Sequence, residues 1–281
     1  MVKAMILDVD GVIVGESKGV NAPDPHPDVM AKLKSVKMPI SLCTAKPAFA
    51  IGDITKQASL DNPHIADGGG LLVGHDNEIY KKRMLDTDVA GRIVGALLEN
   101  NIYAEVYTPT NYFIQSDQMC DMAEKHAFVL QRMPGLVDSL EKFSMREEVT
   151  KIVAITATEE KAIAAREIFK PIEGFAAISW TIHPTMIPMQ FAVFTAPGIT
   201  KRQGALDISG LLNIPLDNIL GVGDSASDWQ FIELCGYGAA MGNASEALKE
   251  LVRSKGPERS YVGKSVDENG IIDIIDWGMS R

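Results

Sequence analysis

Apolar positions in this chain follow two rhythms. The first opens at once: residues 3–12 carry an aliphatic run, Ala4-Met5-Ile6-Leu7, that breaks off at Asp8, Asp10 and Gly11. A short apolar run closed by a turn signal reads as a buried strand. A Gly/Pro/Asn/Asp-rich loop over 15–27 follows, then a helix over 28–36 with Val29, Leu33 and Val36 on one side. A second buried strand is predicted over 38–43, a helix over 49–58, a strand over 64–66, and a hairpin through 71–73 and 78–80 opened by Gly68-Gly69-Gly70. Strand and helix alternate, which predicts a parallel sheet covered by helices.

Near Leu85 the rhythm changes. Asp86-Thr87-Asp88 caps a helix running to 98, and strands over 102–108 and 111–115 form a hairpin around Pro109-Thr110. A helix over 117–128 precedes a poorly patterned stretch to 149; a strand over 151–156, a helix over 159–169 and paired strands over 176–182 and 189–195 follow. Helices followed by hairpins predict an α+β unit with an antiparallel sheet. We therefore expect an inserted domain over 85–190 within a discontinuous core of 1–84 and 191–281. From Gly198 the first rhythm returns, with a helix led by Thr200-Lys201 to 212, a strand over 219–222, a helix opened by residues 224–228, a strand over 236–241, a helix over 243–252, and short strands and turns from 260.

Four places along this pattern can carry chemistry. Two acids cannot sit inside a buried strand, so Asp8 and Asp10 belong at its carboxyl end, sharing a face because they are two apart. Such a pair suits a hard cation, or a division between nucleophile and acid/base; Asp10-Gly11 also reads as a plain turn. Thr44 ends the second strand and offers a hydroxyl to a phosphoryl oxygen, although an ordinary helix cap would look the same. Lys201, at a helix start, is either a solvated side chain or a counter-charge to phosphate. Gly221-Val222-Gly223-Asp224-Ser225-Ala226-Ser227-Asp228 ends another strand in another carboxylate, with a second acid one helical turn on. Four acids at two strand ends repel one another without a cation, and Mg²⁺ is the natural partner of an all-oxygen set.

Composition narrows the partners. Among 281 residues, 37 Asp+Glu oppose 27 Lys+Arg for a net charge of −10, which argues against nucleic acid as a ligand. A small anion remains compatible, because a metal and a few local bases override net charge within one cleft. No apolar run is long enough to span a bilayer, and a first strand beginning at residue 3 leaves no room for a signal peptide. Three scattered cysteines form neither a disulfide framework nor a zinc site, so a cytoplasmic protein is expected.

Taken in order, Asp8-Val9-Asp10-Gly11-Val12, Thr44, Lys201 and Gly223-Asp224-Ser225-Ala226-Ser227-Asp228 resemble the four motifs of the haloacid dehalogenase superfamily. Gly198-Ile199-Thr200-Lys201-Arg202-Gln203-Gly204-Ala205-Leu206 and Ala240-Met241-Gly242-Asn243-Ala244 are similar to its Cof-like, type IIB phosphatases. The resemblance implies a Rossmann-like α/β core with a C2-type cap. It further implies that Asp8 attacks phosphorus to give an aspartyl-phosphate and that Asp10 is the acid and base. Mg²⁺ would bind Asp8, the carbonyl of Asp10 and Asp224, with Asp228 supporting from behind. Thr44, Ala45, Lys46 and Lys201 would hold the phosphoryl group. The second acid, Asp10, favours phosphoryl transfer over dehalogenation.

The chain departs from that branch in three places: Thr44-Ala45-Lys46 stands for the frequent Thr-Gly-Arg, Ser227 for a frequent Asn, and Asp67-Gly68-Gly69 for the usual Asn-Gly. The expected activity is Mg²⁺-dependent hydrolysis of a small phosphorylated metabolite, such as a sugar phosphate or phosphoglycolate, by a monomer or homodimer. A phosphosugar mutase and a non-catalytic metabolite sensor are the rivals.

Other signals are set aside. Gly221-x-Gly223-x-x-Ala226 fits a dinucleotide fingerprint, but Asp224 would face the pyrophosphate and no acid ends the next strand. Cys43 reads as a core thiol. His26, His64, His75, His126 and His183 lack ligand spacing and read as loop or surface histidines. Trp180, His183 and Met186 face either substrate or a packed hairpin.

Overall fold

The computed structural model describes residues 1–15, 24–74, 78–172, 174–182 and 186–281. Most of the loop predicted over 15–27, together with His75 and His183, lies outside the described residues. The chain divides into two compact units, Met1–Lys81 with Thr200–Arg281, and Lys82–Ile199.

The discontinuous unit is built on a five-stranded, all-parallel sheet in the order Ser260–Val262, Tyr237–Ala240, Ile219–Gly223, Ala4–Leu7, Ile40–Leu42. The first strand is therefore interior, and Ala4, Met5, Ile6 and Leu7 are all fully buried, which explains a run that is apolar on both faces. Leu7 is level with Val222 on one side and Leu42 on the other. That register brings three strand ends, and the residues just beyond them, to one edge. The predicted 64–66 strand and the following hairpin form a separate three-stranded sheet of His64–Ala66, Leu71–Val73 and Ile79–Lys82.

The helix Lys201–Leu212 starts from Thr200, whose hydroxyl accepts the Gln203 N–H at 3.1 Å, and ends at Asn213 in the left-handed region. Two sequence expectations need correction here. The predicted 49–58 helix is a 3-10 turn, Ala48–Ala50, followed by the short helix Gly52–Gln57. The tail is not strands and turns alone: Gly270–Met279 is a helix that buries Ile271, Ile274, Ile275 and Gly278. Its β-branched isoleucines mimic a strand in composition, but their i, i+3, i+4 spacing is helical.

The second unit carries a six-stranded sheet in the order Ala177–Thr181, Gln190–Thr195, Lys151–Thr156, Tyr103–Tyr107, Tyr112–Gln115, Gly135–Val137. Among the described residues every pairing is antiparallel except that between its last two strands. Gln190–Thr195 pairs on both edges, so this unit extends beyond residue 190, to Ile199. One sheet face, with Ala104, Val106, Ile152, Ala154, Ala192 and Phe194, packs against Ala90, Ile93, Val94 and Leu97 of the helix Thr87–Glu99. The stretch that lacked a pattern holds the strand Gly135–Val137 and the helix Leu140–Ser144, both too short for a period to register.

The other face of that sheet holds Tyr103, Glu105 and Tyr107, alternate residues of one strand. Glu105 is completely buried and accepts hydrogen bonds from the Tyr103 hydroxyl at 2.8 Å and the Tyr107 hydroxyl at 2.6 Å. His126 Nδ1, on the helix Asp121–Leu130, lies 2.8 Å from the same carboxylate. His126 and His64 thus correct the surface reading of the histidines. His64 is fully buried, its Nδ1 accepting the Leu42 N–H at 3.1 Å. Trp180 stacks on Phe169 and lies under Arg166, and Met186 is buried, so both belong to hairpin packing.

Candidate active site

The first strand stops at Leu7, before either acid. Asp8 continues its ladder through a 3.0 Å hydrogen bond from its N–H to the Val222 carbonyl, and then the chain turns. The N–H groups of Val12, Ile13 and Val14 all donate to the Val9 carbonyl, and Gly11 N–H donates to Val14. This turn, rather than strand alternation, sets Asp10 apart from Asp8: Asp8 is buried and Asp10 exposed.

Asp8, Asp224 and Asp228 offer carboxylate oxygens that all lie within 4.8 Å of one another. The spacing of Asp224 and Asp228 is set by their loop. Asp228 Oδ2 accepts the N–H groups of Asp224 at 3.0 Å and Ser225 at 2.9 Å, and the Ser225 hydroxyl at 3.0 Å. The segment Ala226–Asp228 is a 3-10 turn closed by this capping box, so Asp228 holds the loop that presents Asp224. Gly223 is obligatory in that arrangement, since a Cβ there would overlap the Asp228 side chain. Gly11 is needed for a second reason as well: its φ is +74°, and a Cβ would overlap the Asp224 carboxylate.

Lys201 enters from the first turn of its helix, an unfavourable place for a cation in terms of the helix dipole. Its ammonium is compensated by side chains, lying 2.8 Å from Asp8 Oδ1 and 2.6 Å from Asp228 Oδ1. Burial works against its charge, but Asp8 and Asp228 outweigh that and hold it protonated well above the usual lysine range. One ammonium does not neutralise three acids. Burial pushes the Asp8 carboxyl up to about 7, with Lys201 opposing and Asp228 reinforcing. Burial and Asp228 push Asp224 up to about 6.

Thr44 and Lys46 lie on the loop after the Ile40–Leu42 strand. Thr44 Oγ1 accepts the Lys46 N–H at 3.1 Å, while the carbonyls of Thr44 and Lys46 accept the N–H groups of Gly68 and Asp67, each at 2.9 Å. Ala45 is exposed at the loop tip. Lys46 Nζ lies 3.1 Å from Asp10 Oδ1.

Sequence reasoning gave no role to Asn243. Its side-chain amide donates to the Gly11 carbonyl at 2.9 Å and its Oδ1 accepts the Val266 N–H at 2.8 Å, tying the Asp10-Gly11 turn to the start of the 3-10 turn Val266–Glu268. Its signal was the Ala240-Met241-Gly242-Asn243-Ala244 string. Gly221 lies inside the strand Ile219–Gly223 and not in a loop after it, which removes the dinucleotide reading. Cys43 and Cys235 are buried thiols, the latter pushed up to about 12 by burial.

The donors fit a hard divalent cation. They are oxygens, they carry more negative charge than Lys201 offsets, and the missing Cβ of Gly11 keeps backbone close to Asp224. Among the described residues, no helix is long and apolar enough to cross a membrane.

The family model of haloacid dehalogenase-like hydrolases matches residues 5–275. Among curated proteins, the chain is 23% identical to a Bacillus subtilis 5-amino-6-(5-phospho-D-ribitylamino)uracil phosphatase over 99% of this chain and 98% of the relative. It is 24% identical to a phosphoglycolate phosphatase of Methanothrix thermoacetophila over 98% and 96%, respectively. A solved haloacid dehalogenase-like hydrolase from Bacteroides thetaiotaomicron superposes with a TM-score of 0.83 at 17% identity, covering 98% of this chain and 99% of that one, a likeness of fold.

Proposed function

The chain belongs to the haloacid dehalogenase-like hydrolases, and from that premise we propose that it is a Mg²⁺-dependent phosphomonoesterase acting on a small phosphorylated metabolite. The observation that carries this reading is the buried Asp8 carboxylate, with one oxygen held by Lys201 and two further acids beside it. A carboxylate so placed is a nucleophile in need of charge compensation.

In this reading Asp8 attacks phosphorus, the ester P–O bond breaks, and Asp10 gives its proton to the departing oxygen. Water then attacks the aspartyl-phosphate, loses a proton to Asp10, and frees Asp8 and inorganic phosphate. Lys201 keeps Asp8 oriented and, with Thr44 and Ala45, meets the phosphoryl oxygens. Asp8, the Asp10 carbonyl and Asp224 would hold Mg²⁺, with Asp228 fixing Asp224 from behind. When bound, the ion offsets the repulsion between an anionic nucleophile and an anionic ester.

The relatives named as phosphatases act, by those names, on a ribitylamino-uracil phosphate and on phosphoglycolate. They support a small phosphate ester, sugar phosphate or phosphoglycolate-like, as the substrate class here. The inserted unit is the C2-type cap in this proposal and selects among such esters. Phosphate release from a panel of monoesters, with Mg²⁺ and with EDTA, for wild type and Asp8→Asn, tests the reading. Release that needs Mg²⁺ and is lost in Asp8→Asn supports it; release that survives either change overturns it.

A further inference from the structure

We propose that Lys46 is a positioning residue that holds Asp10 for proton transfer to the leaving oxygen, a role that rests on the phosphomonoesterase reading above. The Asp10 side chain is 50% exposed and stands on an irregular turn, where a carboxylate would ordinarily sample several rotamers. The Lys46 side chain is 18% exposed, and its Nζ reaches Asp10 Oδ1 at 3.1 Å.

The lysine is itself anchored. Its N–H is taken by Thr44 Oγ1 at 3.1 Å, and its carbonyl by the Asp67 N–H at 2.9 Å. Its backbone is therefore fixed on one side to Thr44 of its own loop and on the other to the turn that follows the His64–Ala66 strand. The ammonium at the end of this anchored stem fixes one oxygen of Asp10.

The consequence is a division between the two carboxyl oxygens. With Oδ1 engaged by the ammonium, Oδ2 is the oxygen that carries the transferable proton. As the bond from phosphorus to the ester oxygen breaks and the bond to Asp8 forms, that proton passes from Asp10 Oδ2 to the leaving oxygen, giving a neutral alcohol and an Asp10 carboxylate. The water that later attacks phosphorus returns a proton to the same oxygen. A lysine serves here because it is a compact charge with three donors, able to grip a single oxygen. Lys46 was grouped in the sequence with the phosphate ligands; its contact with Asp10 gives it an effect that a phosphate ligand does not have.

The two roles separate by leaving group. General acid assistance is worth roughly 10²–10⁴-fold for a poor leaving group and almost nothing for one that departs readily as an anion. The experiment compares kcat/KM for an alkyl phosphate and for 2,4-dinitrophenyl phosphate in wild type, Lys46→Met and Lys46→Arg, at fixed Mg²⁺. This parameter reports the step in which the ester bond breaks. The expected result is a loss of about 30-fold or more on the alkyl ester in Lys46→Met, less than threefold on the dinitrophenyl ester, and substantial recovery on the alkyl ester in Lys46→Arg. Equal losses on both esters, with weaker inhibition by inorganic phosphate, make Lys46 a phosphate ligand and overturn the proposal. No loss on either also overturns it. Wild-type protein that hydrolyses neither ester overturns the parent reading instead, a distinct failure.

Discussion

Lys201 Nζ lies 2.6 Å from Asp228 Oδ1, and both side chains are buried. This contact joins the helix that supplies the ammonium to the loop that carries Asp224. Removing the ammonium leaves Asp8 and Asp228 buried without compensation, and breaking such a pair costs about 3 kcal/mol or more. Lys201→Met is expected to lower stability by that amount in urea unfolding and to cut turnover by about 100-fold or more. Asp228→Asn keeps a loop acceptor but loses the ion pair, so its stability should fall by less. A Lys201→Met protein as stable as wild type would show that the contact is idle.

In the proposed function, protons and Mg²⁺ compete for the same carboxylates. Asp8 near 7 and Asp224 near 6 are raised acids, so in metal-free protein their ionisation destabilises the fold as pH rises from about 4 toward 7, and the effect then levels off. Mg²⁺ would bind the ionised forms, so its affinity should hold at pH 8 and decline as pH falls through 7 and 6. Calorimetric titration across that range checks it, and an affinity independent of pH would remove Asp8 and Asp224 from the ligand set.

Gly11→Ala places a side chain at φ +74° against Asp224. The backbone conformation alone costs about 1–2 kcal/mol, and the overlap pushes Asp224 away. Mg²⁺ affinity should drop about tenfold or more while far-ultraviolet circular dichroism stays native. Unchanged metal binding would mean that the Asp10-Gly11 turn and Asp224 do not share a site.

In the second unit, burial pushes Glu105 up, but the charge of His126 and hydrogen bonds from His126, Tyr107 and Tyr103 pull it below the usual carboxylate range. A depressed acid contributes stability above its unfolded pKa and loses it as pH falls through the native value. Glu105→Gln should therefore cost about 2 kcal/mol at pH 7, with the difference from wild type shrinking progressively below about pH 4.5. Chemical unfolding at pH 7, 4 and 3 measures it; a constant difference at all three would falsify the depressed carboxylate.

Much of this was legible in the chain because the strands of the parallel sheet are buried on both faces, so Ala4–Leu7 and Ile219–Gly223 are apolar throughout and their polar ends stand out. Asp8, Lys201, Asp224 and Asp228 were singled out in the sequence and lie together in space. The Glu105–His126 pair was not legible. Its members lie 21 positions apart, and only sheet alternation and a covering helix bring them into contact. Lys46 was visible as a departure from Thr-Gly-Arg, but its partner was not, because the Val9–Val14 turn and not strand geometry decides where Asp10 sits. The helix Gly270–Met279 was missed because isoleucine-rich composition outweighed its spacing.

The pairing of Ala4 with Ile219 has a consequence for how the protein acquires its shape. The six strands of the inserted unit, between Tyr103 and Thr195, lie side by side in one sheet from one continuous stretch, whereas the opening strand waits for a neighbour encoded after that stretch. Contacts of such sequence separation slow folding. During synthesis the inserted unit is complete while the most apolar strand of the core still has an open edge, the condition in which unfinished chains associate with one another. Asp224 and Asp228 are encoded after the inserted unit, so the cluster of acids around Asp8 forms only once that unit has been made.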